Sequence, residues 1–273
     1  MPSENGELPE APRVNATSAR TPRDTEPHGT GEYFLTPYVF PCFTRHGVIL
    51  LHLPRNKYYG LSKTDANFLE RIVMNWPTRS GVADAISTTV VSENCSMRCL
   101  VQSLLGVDVL QQTRPPRCDI DVSRVSLDGP LASIGDEIIQ RASVRPAHLA
   151  TFLFSLMSAA GCLRCLPLKS IVGFVSRRKV RAITNGYSFS LDHTAELVFL
   201  FRSLRPYFFV TEGRCLLHAL TLITFLAIHG EFPCWVLGVR TEPWAAHSWV
   251  QHGHYLLDTN PENVCEYEPI LAV

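Results

Sequence analysis

Charge of one sign is missing. Lys and Arg number 25, Asp and Glu number 25, and charged residues make up only 18% of the 273 positions. A neutral, charge-poor chain gives no expectation of bulk nucleic-acid binding or of anionic-membrane binding. No GxxxxGK[ST] or GxGxxG occurs, so no nucleotide loop is expected. The first residues hold no basic stretch followed by an apolar run, so no export signal and a cytoplasmic location are expected. Cysteine is not scarce, but its number, nine, is odd. Scattered through apolar segments, these thiols read as reduced rather than as a disulfide framework. Cys162 and Cys165 form a lone CxxC without a second CxxC or a His pair at zinc-finger spacing. No metal and no cofactor are expected on that count.

Long hydrophobic runs are also few. The most apolar, Leu149 to Leu163, is too short to span a bilayer and ends at Arg164. It is expected to be a buried core helix, with no membrane contact.

Hydrophobic residues reach 46%, ample for a core, and the length allows one large domain or two small ones. Residues 1–32 hold five prolines, six acidic and three basic side chains and no Phe, Tyr or Trp. Such a segment reads as a disordered tail. From Tyr33 to Ser62 three strand-like runs follow, separated at Gly47 and at "PRNK", and Pro37 and Pro41 suit an edge strand. Ser62 with Asp65 forms a capping-box pattern, and the stripe Ala66, Leu69, Ile72, Val73, Trp76 predicts a helix that stops at Pro77. Further helices are predicted over 82–90 and 93–105, with Gly106 as a C-cap. Three strands and three helices make a small α+β module over 33–113. A Pro- and charge-rich linker fits 114–130. A second domain, 131–273, opens with helices over 147–163, 169–179 and 192–204.

The last third holds the chemistry. A helix begins near Cys215, with Thr211 or Gly213 as its cap, and a buried strand "PCWVLGVR" follows. "HSWVQ" and "YLLD" then form a hairpin. A two-residue turn at His252-Gly253 would pair Gln251 with His254 and His247 with Asp258, while a three-residue loop would oppose His247 to Thr259. A carboxylate beside a histidine fixes its tautomer. A thiol at a helix N-terminus beside Arg214 is expected to lean toward thiolate. Cys215, His247 and Asp258 are thus candidates for nucleophile, base and orienting acid. A cluster of His247, His252 and His254 lacks a third inward ligand, and His218 and His229 read as ordinary surface or core histidines.

The segment from Cys215 to Val273 resembles the lasso-peptide biosynthesis B protein, a leader peptidase of transglutaminase-like, papain-like fold. The shared elements are Cys-Leu at a helix start, "GVRT.P", "AHSWVQ" and the terminal "PILAV". The order of elements in 33–113 resembles the PqqD-like winged-helix recognition element of ribosomally made, modified peptides. The resemblance implies a fused α+β protein that binds a lasso precursor by its leader and cleaves the leader off with Cys215, His247 and an acid. It also implies an asparagine-synthetase-like cyclase as partner. Relatives often carry Asn-Asp where this chain has Asp258-Thr259. Leader capture would use strand addition beside the third strand, with Tyr58, Tyr59, Leu61, Leu100 and Leu104 as pocket residues. An acyltransferase of transglutaminase or arylamine N-acetyltransferase type would use the same three catalytic residues. A non-catalytic peptide binder is the third possibility.

Overall fold

The computed structural model describes residues 32–77, 95–123, 125, 131–134, 144–209, 214–257 and 259–273. The described residues divide into two compact units, one ending at Cys118 and one running from Asp119 to Val273.

In the first unit, β1 (Phe34–Leu35) is followed by the meander β2 (Val39–Phe43), β3 (Gly47–His52) and β4 (Lys57–Ser62). β3 lies between the other two, so among the described residues β2 and β4 are the sheet edges. Pro41 sits in edge strand β2, where its missing N–H disrupts no ladder. Leu50 faces Tyr59 and Val48 faces Leu61, and all four side chains are buried in one core. Ser62 caps α1 (Lys63–Ile72): the Asp65 amide donates to Ser62 Oγ at 3.1 Å, and the Ser62 amide donates back to the Asp65 carboxylate at 3.4 Å.

α1 ends at Ile72, short of the predicted stop at Pro77. The chain leaves the helix because backbone partners elsewhere claim it. Val73 bridges Tyr33, and the Met74 amide donates to the Tyr33 carbonyl. The Asn75 side chain accepts from the Leu35 amide at 2.7 Å and donates to the Leu35 carbonyl at 3.1 Å, so it extends β1 as a strand would. Val73 and Trp76 still reach the core. α2 (Cys95–Gly106) and β5 (Leu110–Gln111), which pairs with β1, complete the unit. The helix predicted over 82–90 lies outside the described residues, as does the 1–31 part of the tail.

The second unit holds β6 (Ala132–Ser133), α3 (Pro146–Cys165), α4 (Leu168–Thr184), α5 (Leu191–Leu204) and α6 (Cys215–Ile228). The strands β7 (Cys234–Thr241), β8 (Trp244–His252), β9 (Tyr255–Leu257) and β10 (Glu268–Ala272) follow. The sheet runs β10-β7-β8-β9-β6, antiparallel except for the β6–β9 pair. α6 is apolar on nearly every side and packs against α3, α5 and β8. Phe152 of α3, Phe201 of α5 and Phe225 of α6, all fully buried, meet with centroids 5.2 to 6.5 Å apart.

Two expectations are corrected here. The hairpin turns at Gly253-His254, not at His252-Gly253, so Gln251 pairs with Leu256 and Val250 with Leu257. Gly253 has φ +56° as the first of the two turn residues, the position where a II′ turn needs a positive φ. Secondly, α3 is not a buried core helix: Phe152, Ser155 and Ala159 are its buried residues, and Phe154 and Met157 are 62% and 71% exposed.

Candidate functional site

Cys215 is the first residue of α6, and Arg214 caps the helix without a side-chain hydrogen bond. Thr211 and Gly213, the expected caps, lie outside the described residues. Cys215, His218, Ala219 and Leu222 recur at helical spacing and line one wall of a cleft of about 1240 Å³. His247, Ser248 and Trp249 of β8 line it as well, with Arg240 of β7 and Tyr267. Cys215 and His247 therefore face one space, although 31 residues of chain separate them (247 − 216).

The strand register explains how His247 is held. It sits opposite Gly238 on β7, and its ring stacks with Trp249, the next residue on the same face, at 6.0 Å and 20°. Trp249 is anchored in turn: its Nε1–H donates to Gln251 Oε1 at 2.9 Å, and Gln251 Nε2 donates to the Gly253 carbonyl at 2.6 Å. Tyr267 closes the other side, 5.2 Å from the imidazole centroid. Arg240 lies over the Tyr267 ring at 5.2 Å and forms an ion pair with Glu266. Ser248, whose hydroxyl accepts from the buried Trp235 indole at 2.7 Å, brings its backbone to Cys215.

The electrostatics correct the expectation of a resting thiolate. Burial pushes the Cys215 thiol up from its ordinary pKa, and backbone hydrogen bonds at Ser248, Leu216 and Cys215 itself only partly offset it. His247 is held below the ordinary imidazole value, first by burial and then by His218 and Arg240. Both shifts favour a neutral thiol and a neutral imidazole in the one cleft. Tyr267 is raised, chiefly by burial, with Arg240 opposing and Cys215 adding to the rise. Tyr267 is thus within reach of both Cys215 and the His247 ring.

Asp258, the expected third member, lies outside the described residues. Thr259 and Asn260 line the cleft on that side. Among the described residues its acidic side chains are Glu262 and Glu266, against Arg202, Arg205, Arg214 and Arg240. Several contributors are not in the sequence-based set: Trp249, Gln251, Tyr267, Arg240 and His218. Strand alternation from His247 points to the first two, and helical spacing from Cys215 points to His218. Nothing local in sequence points to Tyr267.

The pocket residues expected in the first unit fall elsewhere. Tyr59, Leu61, Leu100 and Leu104 are buried in its core, and Tyr58, on the other face of β4, is half-buried. Among the described residues no group of three or more His, Cys, Asp or Glu is placed to hold a metal ion. Cys162 is half-buried and Cys165 exposed.

No curated protein and no solved structure matches the chain. A family model does, described as "Transglutaminase-like superfamily", over residues 163–272, a span that takes in Cys215, His247 and four of the five strands of the sheet, β7 to β10. Domains of this superfamily are generally cysteine-based catalytic folds. Residues 163–272 of this chain are a transglutaminase-like superfamily domain.

Proposed function

We propose that the protein is a cysteine peptidase that removes the leader of a lasso-peptide precursor, freeing the core's N-terminal amine for macrolactam closure by an asparagine-synthetase-like cyclase. The observation that carries the hydrolase reading is the meeting of Cys215 and His247 in one cleft of a transglutaminase-like domain. The lasso assignment rests on the sequence elements around them, and with it go a cytoplasmic setting and a cofactor-free reaction.

Starting from the neutral pair, His247 takes the thiol proton as Cys215 Sγ attacks the scissile carbonyl. The oxyanion that forms is met by backbone N–H groups at the start of α6. Imidazolium His247 then gives its proton to the departing amine, leaving the leader as a thioester on Cys215. A water, deprotonated by His247, hydrolyses the thioester to the leader carboxylic acid and restores the thiol. Tyr267 and Trp249 hold the imidazole plane during both proton transfers. Leader capture is assigned to the outer edge of β4, whose partner in the sheet, β3, occupies only one side.

Incubating the full chain with candidate precursors, with and without a primary amine, tests the proposal by mass spectrometry. Leader release that stops on Cys215→Ala is the expected result. Amine incorporation without hydrolysis would assign the domain to acyl transfer instead. Neither product from any precursor, with a Cys215 that a thiol probe labels no faster than the other cysteines, would leave a non-catalytic binder.

A further inference from the structure

A helix that is apolar on all sides is normally enclosed. α3 is not. Its inner face, Phe152, Ser155 and Ala159, packs into the second unit. The opposite face carries Leu149, Leu153, Phe154, Met157, Ala160 and Gly161, all exposed and linked by steps of three or four residues. This stripe runs about 18 Å along the helix at 1.5 Å per residue. Exposed Arg145 precedes α3, and exposed Arg164 stands in its last turn. The helix starts before the segment matched by the transglutaminase-like model, and nothing in the catalytic cleft uses its outer face.

The helix and its exposed ends carry only basic charge. Between Glu137 and Asp192 the sequence contains no acidic residue. Of the basic side chains there, Arg177 is taken by Asp119, Arg178 by the Ala227 carbonyl, and Lys179 by Ser123 and Cys234. Arg145, Arg164 and Arg181 remain exposed. A chain that is neutral overall thus carries an exposed apolar helix with no acid of its own and an exposed arginine at each end.

We infer that the outer face of α3 seats on an anionic membrane surface, with Phe154 and Met157 inserted among the acyl chains and Arg145 and Arg164 at the lipid phosphates. α3 is long and apolar enough to cross a bilayer by length and composition. Spanning would strip Phe152, fully buried, from Phe201 and Phe225, so the helix lies in the interface instead. Anionic headgroups supply the charge that exposed arginines at both ends of an apolar stripe attract. A zwitterionic surface supplies only the apolar half of the match.

The test is flotation of the full chain with vesicles of phosphatidylcholine and phosphatidylglycerol in two-to-one ratio, with pure phosphatidylcholine vesicles as control. The chain is expected to float with the mixed vesicles, less at high salt, and poorly with the control. Phe154→Asp with Met157→Asp is expected to lower partitioning by about tenfold or more, since each side chain loses the transfer of a large apolar group. Both residues are exposed, so the double variant should melt like the parent. Should it not, Arg145→Glu with Arg164→Glu reads the same contact through charge, again with about tenfold loss expected. No flotation of the parent, or equal flotation of parent and variants, overturns the inference. So does a parent that sediments as a dimer while F154D/M157D is a monomer, which would give the face to a second copy.

Discussion

Gly238→Ala is the sharpest probe of how the site is held, because it adds one methyl at a distance from Cys215 yet acts on His247. A Cβ at position 238 would lie 2.6 Å from two carbons of the Trp249 indole and 3.3 Å from the Glu268 carbonyl oxygen. Ordinary carbon contacts need about 3.5 to 4 Å, so the indole must retreat by about 1 Å. It has little freedom to do so, being 2% exposed and tied through Nε1 to Gln251. Overpacking of this kind costs about 1–3 kcal/mol. His247 stacks on that indole, and a misplacement of about 1 Å in a reacting group can lower turnover by about 100-fold. Chemical denaturation and kcat/KM for leader cleavage read the two effects separately. Trp249→Phe removes the clashing ring atoms, so Gly238→Ala should cost less in that background than in the parent, a coupling a double-mutant cycle measures. If Gly238→Ala has parental stability and turnover, the indole is not what positions His247, and the reasoning fails.

Cys215→Ala and His247→Ala should each abolish leader removal, seen by mass spectrometry, since nucleophile and base act as a unit. Substitutions of Asp258, Thr259 and Asn260 to Ala, compared by kcat, should identify the imidazole's polar partner: the largest loss should fall on Asp258, and a larger loss at Thr259 or Asn260 would reassign it. The acid limb of kcat/KM should fall below the ordinary imidazole pKa of about 6.5, because His247 must be neutral to accept the thiol proton and its pKa is lowered. Stability should move the same way with pH. His52, His229, His247 and His252 are all held below their unfolded value, so the unfolded chain binds more protons as the pH drops below about 6.5. The resulting stability is full above that point and lost as pH falls through the folded values, which melting curves between neutral and mildly acidic pH will show. A fragment ending at Cys118, which has its own core, should bind leader but not core peptide by fluorescence anisotropy; equal affinity for both would remove strand addition on β4.

What the sequence disclosed, and what it did not, divides along the range of the interactions involved. The capping box at Ser62, the proline on edge strand β2 and the helices α2 to α6 follow from neighbours a few residues apart, and periodicity reads them. Cys215 at a helix start and His247 on a strand belong to this class, which is why both were legible. The early end of α1 is not local: it depends on Asn75 finding the backbone of Leu35, 40 residues away. Tyr267 reaches His247 from beyond the hairpin, a contact that no spacing rule encodes.

The turn at Gly253 is instructive in a different way. The rule for a II′ turn places glycine first, and that rule alone selects Gly253-His254 over His252-Gly253. Moving the turn by one residue moves the partner of Gln251 by two, from His254 to Leu256. The ladder ends at Val250–Leu257, and Asn260 already caps a 3-10 turn over Pro261–Asn263, so strand register assigns no partner to His247. The Ala substitutions across 258–260 are therefore best followed by Asp258→Glu: a carboxylate that orients the imidazole predicts that the longer acid retains part of the activity that Asp258→Ala loses, whereas equal loss in both variants would put the role elsewhere.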